Sequence, residues 1–139
     1  MRKLIGTALL TAALAGCAAN DPYQGQRSPQ AQQLLASYLN GKVVGGPSVT
    51  CLPPYRSNDM IVVDENTILF RDGPNRVYRT EMTGGCIGLG SPGKALVTRS
   101  FGSGLCRGEI ARVVDNVAGF TTGSCAFGDF VPYVTPGRR

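Results

Sequence analysis

The chain of 139 residues contains no histidine. That excludes Ser-His-Asp and Cys-His nucleophile systems and histidine-ligated metal sites, and it removes the usual general base near neutrality. No G-x-S-x-G occurs, and none of the five cysteines falls in a C-x-x-C pair, which argues against a zinc site built from four thiolates. The one long apolar run, Leu4 to Leu14, is eleven residues. As a helix it would rise about 16 Å, too little for a hydrocarbon core of roughly 30 Å. Basic charge is not concentrated where a nucleic-acid binder would need it. Between Cys51 and Tyr133 there are eight Arg or Lys and eight Asp or Glu, so that segment is neutral, and no nucleic-acid partner is expected.

What the chain does have is an ordered start. Arg2 and Lys3 precede the apolar run, and small residues follow it at Ala15 and Gly16, the order of an export signal. Leu14-Ala15-Gly16-Cys17 resembles the lipobox of bacterial lipoproteins. The resemblance implies removal of residues 1–16, a diacylglycerol on the Cys17 thiol and acylation of the new amine. Several acyl chains anchor firmly where one is marginal, at about 0.8 kcal/mol per buried methylene. Residue 18 is alanine rather than aspartate, which for that class points to the outer membrane of a Gram-negative cell, with the domain facing the periplasm. After such cleavage 12 basic and 9 acidic side chains remain.

Four further cysteines, Cys51, Cys86, Cys106 and Cys125, read as two disulfides in an oxidising compartment. Three connectivities exist; Cys51–Cys86 with Cys106–Cys125 is the expected one, because each bridge would then close one half of the domain. The bridges matter because about 83 residues form a modest core, and each crosslink adds ~3 kcal/mol.

Composition divides the rest. Residues 17–28 are polar and read as a flexible tether. Residues 29–50 hold a short helix and a linker: Ser28 and Pro29 suit an N-cap and first helical position, and Asn40-Gly41 suits the end. Ala31, Leu34, Leu35 and Tyr38 form one apolar face that should dock on a sheet. Residues 51–134 read as a disulfide-bonded β domain, and 135–139 as a basic tail. Met60–Val63, Thr67–Arg71 and Arg76–Met82, separated by Asp64-Glu65-Asn66 and Asp72-Gly73-Pro74-Asn75, form an antiparallel meander. Ala95–Phe101 and Glu109–Val114 continue the strand pattern, although Ile110, Val113 and Val114 also suit a helical turn. Phe127–Val134 reads as a last edge strand, since Pro132 does not suit a central one. Cys51 with Val62-Val63-Asp64 and Cys106 with Val113-Val114-Asp115 hint at two stacked β-units. The fold class is mainly β: a small antiparallel barrel or sandwich of about six short strands, one N-terminal helix and two disulfides.

Candidates for chemistry each have a plainer reading. Gly88-Leu89-Gly90-Ser91-Pro92-Gly93 matches G-x-G-x-x-G, but the β-prone Ala95-Leu96-Val97-Thr98 follows where a helix is needed, so it reads as a structural loop. Asp64-x-Asn66 starts like a calcium loop without its glycine and distal glutamate. A carboxylate-only hydrolase would need Asp64 or Asp72 beside Glu81 or Glu109 across a cleft. Tyr55, Arg56, Arg71, Tyr78 and Arg79 are residue types favoured at interface anchors and are the candidate partner-binding set. No catalytic residue, metal ligand or cofactor is assigned.

The opening Cys51, VVDENTILFRD at 62–72, VYR at 77–79, GGCIGL at 84–89, LCRGEI at 105–110 and SCAFGDFVPY at 124–133 together resemble a family of small uncharacterised exported and lipid-anchored proteins of proteobacteria, a domain of unknown function. The resemblance covers most of the chain beyond Cys17. It implies a single disulfide-bonded domain and supplies no activity. The expected function is a non-catalytic lipid-anchored module that binds an unknown envelope protein or ligand or maintains the envelope. An inhibitor of a periplasmic hydrolase such as lysozyme is the alternative, and a carboxylate-based hydrolase the third.

Overall fold

The computed structural model describes residues 26–100, 102 and 104–137. The expected signal, Cys17, most of the tether, Phe101 and the Arg138-Arg139 pair lie outside them. The Ser28 side chain accepts a hydrogen bond from the Ala31 N–H and Pro29 fills the first turn, so α1 (Pro29–Leu39) starts where its sequence favours it. Asn40 closes it by donating its N–H to the Ala36 carbonyl, and Gly41 follows at φ 71°. The buried face of α1 is Ala31 with Leu35, Tyr38 and Leu39, so Leu39 takes the place expected of Leu34. These residues pack on Ile61, Val63, Leu69 and Val77, a small apolar cluster on one side of the sheet.

Nine strands follow among the described residues: β1 (Val43–Val44), β2 (Cys51–Leu52), β3 (Met60–Val62), β4 (Thr67–Asp72), β5 (Arg76–Thr83), β6 (Lys94–Thr98), β7 (Leu105–Cys106), β8 (Ile110–Asp115) and β9 (Thr121–Val134). Six of them form a curled antiparallel half-barrel in the order β3-β4-β5-β9-β8-β6. β1 adds to the flank of β9, and β2 pairs with β7 as a separate ribbon. The sheet is therefore two three-stranded meanders, β3-β4-β5 and β6-β8-β9, joined through β5 and β9. The two similar halves are not stacked; they share an edge. Its concave side holds the main core, where Phe70, Phe127 and Phe130 meet with ring centroids 5.8 to 6.3 Å apart.

β9 corrects the expectation of a short edge strand. It runs fourteen residues and sits centrally, with β5 on one flank and β8, Val49 and β1 along the other. Pro132 is tolerated because its nitrogen points to the same flank as its carbonyl, which accepts from the Gly45 N–H, where Gly45-Gly46-Pro47 breaks the pairing. The β5 ladder is left uninterrupted at Tyr78↔Pro132. Val43, Val44 and Val49, expected in a linker, are thus drawn into the sheet.

The disulfides are Cys51–Cys106 and Cys86–Cys125, not the pairing expected from closing each half. The topology explains why. β2 lies beside β7, and the chain leaving β5 lies beside β9, so each bridge joins a cysteine of the first half of the domain to one of the second. The bridges span 55 and 39 residues, each worth about 4 kcal/mol on a loop-entropy model. Gly104 permits the first: its φ is 102°, and a Cβ there would lie 2.0 Å from the Leu52 carbonyl oxygen.

Arg27, read as the end of a flexible tether, is buried, with 7% of its surface exposed. Its Nε donates to Asp64 Oδ2 at 2.6 Å and its Nη2 to Thr67 Oγ1. Thr67 Oγ1 donates in turn to Glu81, which also takes the Arg79 Nε at 2.6 Å. Arg27 is therefore part of the folded domain.

Two measurements check this arrangement. Cys51 is exposed, whereas Cys86 and Cys125 are 0% and 4% exposed, so limited reductant under native conditions opens Cys51–Cys106 first, read by alkylation and peptide mapping, while Cys86–Cys125 stays closed until unfolding. Arg27→Met, which strands Asp64 and Thr67, lowers unfolding free energy in denaturant by about 3 kcal/mol.

Candidate functional site

The five residues expected to bind a partner do not form one surface. Tyr78 belongs to the concave core and is 4% exposed. Its hydroxyl accepts a hydrogen bond from Arg56 Nη1 at 3.1 Å, and the Arg56 guanidinium stands 5.4 Å from the Tyr55 ring centroid and 6.0 Å from that of Tyr78. Arg56 Nε lies 3.3 Å from Asp72 Oδ2, yet its N–H is not aimed at that oxygen and makes no hydrogen bond. Proximity therefore balances charge here without adding a directed bond. Tyr55, Arg56 and Tyr78 thus gather at the Asp72–Asn75 end of the sheet. Arg71 and Arg79 point to the opposite face from Tyr78 and are engaged by Asp59 and Glu81, each at 2.6 Å.

The carboxylates are similarly committed. Asp64 Oδ1 accepts the N–H groups of Asn66 and Thr67, closing the turn into β4, while its other oxygen holds Arg27. Glu81 lies beyond Thr67 in the same network, so Asp64 and Glu81 are linked through Arg27 and Thr67. Asp72 balances Arg56 and Arg76, and Glu109 accepts from the Cys106 N–H. The Gly88–Gly93 stretch is a loop of turns with glycines at positive φ that leads into β6, not into a helix.

A surface that sequence reading passed over is the convex face of β6, β8 and β9. Val97, Ile110, Val114 and Thr121 line a shallow cleft of about 370 Å³ with Arg99, Arg112 and Glu109 beside them, the glutamate being bonded to the Cys106 N–H. Val97 and Ile110 are 49% and 58% exposed. The equivalent face of the first meander carries Leu69 and Val77, and α1 covers it. The two faces differ in charge balance as well. Of the eight cations between Cys51 and Tyr133, Arg56, Arg71, Arg76, Arg79, Lys94 and Arg107 each have a carboxylate within 4.0 Å. Arg99 and Arg112 have no ion pair or hydrogen bond among the described residues, and both lie on this cleft. The signal was present as alternation of Ile110, Arg112 and Val114 in one strand; only the topology shows that no element of the described residues packs on that side.

The turn from β8 to β9 is held firmly. Asp115 Oδ1 accepts from the N–H groups of Val117 and Ala118, and Oδ2 takes Lys94 Nζ at 2.7 Å. Those contacts, the Lys94 hydrogen bond foremost, lower its pKa from 3.8 to about 2. Because folding depresses the value, this stabilisation is complete above the unfolded pKa of 3.8 and is lost as pH falls through about 2. A carbon-detected NMR titration should place the Asp115 midpoint near 2, and Asp115→Asn should lower the hydrogen-exchange protection of the Val117 and Ala118 amides at neutral pH. No family model, curated protein or solved structure matches the chain.

Proposed function

We propose that the chain is a non-catalytic lipoprotein, anchored through Cys17 in the outer membrane and facing the periplasm, that binds an envelope partner on the convex face of β6, β8 and β9. The address follows from the Leu14-Ala15-Gly16-Cys17 resemblance and is supported by the two disulfides, which belong to an oxidising compartment.

The observation that carries the binding reading is the pair Arg99 and Arg112. In a domain whose other strand cations are balanced, these two have no ion pair among the described residues and stand beside exposed Val97 and Ile110. An apolar strip rimmed by unsatisfied guanidinium groups suits a partner that brings apolar and acidic side chains together. α1 shows that a helix is the element such a convex face accepts, so the partner is a protein presenting an acidic amphipathic helix. The carboxylates are ion-paired or bonded to backbone N–H groups, so the hydrolase reading gains no free acid and base.

Photo-crosslinking from positions 110 and 97 in intact envelopes is expected to capture an acidic partner segment. Arg99→Glu with Arg112→Glu should cut its affinity at least tenfold, and raising salt should weaken the wild-type complex in the same direction. Crosslinks mapping to a different face, or affinity indifferent to both charge reversals, would reject this assignment. Potent inhibition of a lysozyme by the purified domain would replace it with the inhibitor reading.

A further inference from the structure

One end of the molecule gathers exposed apolar side chains beside the point where the chain enters the domain. Ile87, Val117 and Phe120 are 63%, 93% and 57% exposed. They come from two loops that are fastened together. The Asn116 N–H donates to the Gly93 carbonyl at 2.8 Å, and the Thr122 hydroxyl reaches the Ile87 carbonyl at 3.5 Å. Lys94 Nζ stands 5.8 Å from the Phe120 ring centroid. A Cβ at Gly123 would lie 3.2 Å from the Ile87 backbone, so the loop packs closely on β9 here. The Cys86–Cys125 bridge anchors the first loop to β9.

The chain enters here. Arg27 is fixed to Asp64. The next residue, Glu65, accepts the Cys86 N–H on its carbonyl at 2.9 Å and the Gly88 N–H on Oε1 at 2.6 Å. Arg27 and Ile87 are thus connected through two adjacent residues. Eight residues separate Cys17 from Gln26, a reach of about 30 Å when fully extended.

We propose that Ile87, Val117 and Phe120 form a membrane-contacting tip that dips into the leaflet holding the Cys17 lipid. This rests on the lipoprotein reading given above. The tip carries no net positive charge: Lys94 is paired with Asp115 and Arg27 with Asp64, and Glu65, bound to the Gly88 N–H, adds one negative charge. Contact is therefore with the headgroup and acyl boundary of any phospholipid, not with anionic headgroups. Three side chains alone hold a surface weakly, but a short tether keeps them at high local concentration beside it.

The chain has no tryptophan, so Phe120→Trp supplies a single reporter, with Tyr55→Trp at the far end of the sheet as control. Full-length chain is recovered from envelopes, and its intact mass reports acylation of Cys17. Where Cys17 is unmodified, its thiol, the one outside the two disulfides, is coupled to a maleimide lipid. Either preparation goes into phosphatidylcholine nanodiscs, with and without brominated acyl chains. Phe120→Trp should show a blue-shifted emission and bromine quenching at least threefold stronger than Tyr55→Trp. Adding Ile87→Ser and Val117→Ser should reduce the difference at least twofold, and 20% phosphatidylglycerol should leave it unchanged (about a one-fifth anionic surface). Equal quenching at both positions overturns the proposal, as does a blue shift that follows protein concentration without lipid and so assigns the tip to a second copy. An unacylated native Cys17 would overturn the lipoprotein reading while the coupled chain still decides the tip.

Discussion

β9 must satisfy its backbone hydrogen bonds on both flanks along fourteen residues, and the rest of the molecule is arranged by that requirement. Its first half takes β8 and its second half takes β5, β1 and Val49. The two meanders therefore meet edge to edge along one shared strand. Cysteines that are distant in sequence become neighbours on either side of it, and both bridges cross between halves. The same strand seats Phe127 and Phe130 against Phe70 in the core.

Local signals in the sequence were reliable where the physics is local. Ser28, Pro29 and Gly41 bound α1 because capping depends on neighbouring backbone alone. Asp64 and the Asp72–Asn75 cluster turn the chain for the same reason, and the stretch from Arg76 to Met82 was legible as a strand. What could not be read depended on which strands meet. Pro132 argued for an edge until its nitrogen was seen to face the interruption at Gly45–Pro47. Arg27 looked like tether because its partners, Asp64 and Thr67, lie 37 and 40 residues away. Tyr78 and Arg79 were grouped by residue type, but adjacent strand residues face opposite sides, so only Tyr55, Arg56 and Tyr78 converge.

Charge is distributed with similar economy. The domain is neutral in sum between Cys51 and Tyr133, and that neutrality is local: strand arginines sit beside aspartates and glutamates on both faces. Such exposed pairs add little stability, typically under about 1 kcal/mol each, but they remove net field from most of the surface. Arg99 and Arg112 then stand out against a quiet background, and the apolar groups between them raise the effective strength of any contact that excludes water.

The orientation of the strands links the two proposed surfaces. β9 leaves the Phe120 end and runs to the Asp72–Asn75 end, a rise of about 45 Å for a strand of this length. β8 returns towards Phe120, so the cleft at Val97, Ile110 and Arg112 lies along the side of this axis, in its Phe120 half. A domain resting on Ile87, Val117 and Phe120 would stand its strands away from the lipid and turn the cleft sideways. A partner would then have to approach along the membrane surface, within one domain length of the leaflet. Without the tip, a tether of eight residues would let the domain tumble, and the cleft would sample every direction, so docking would carry a larger orientational entropy cost. Fixing the tip removes part of that cost before the partner arrives, which gives three exposed apolar side chains at one end a reason to be there.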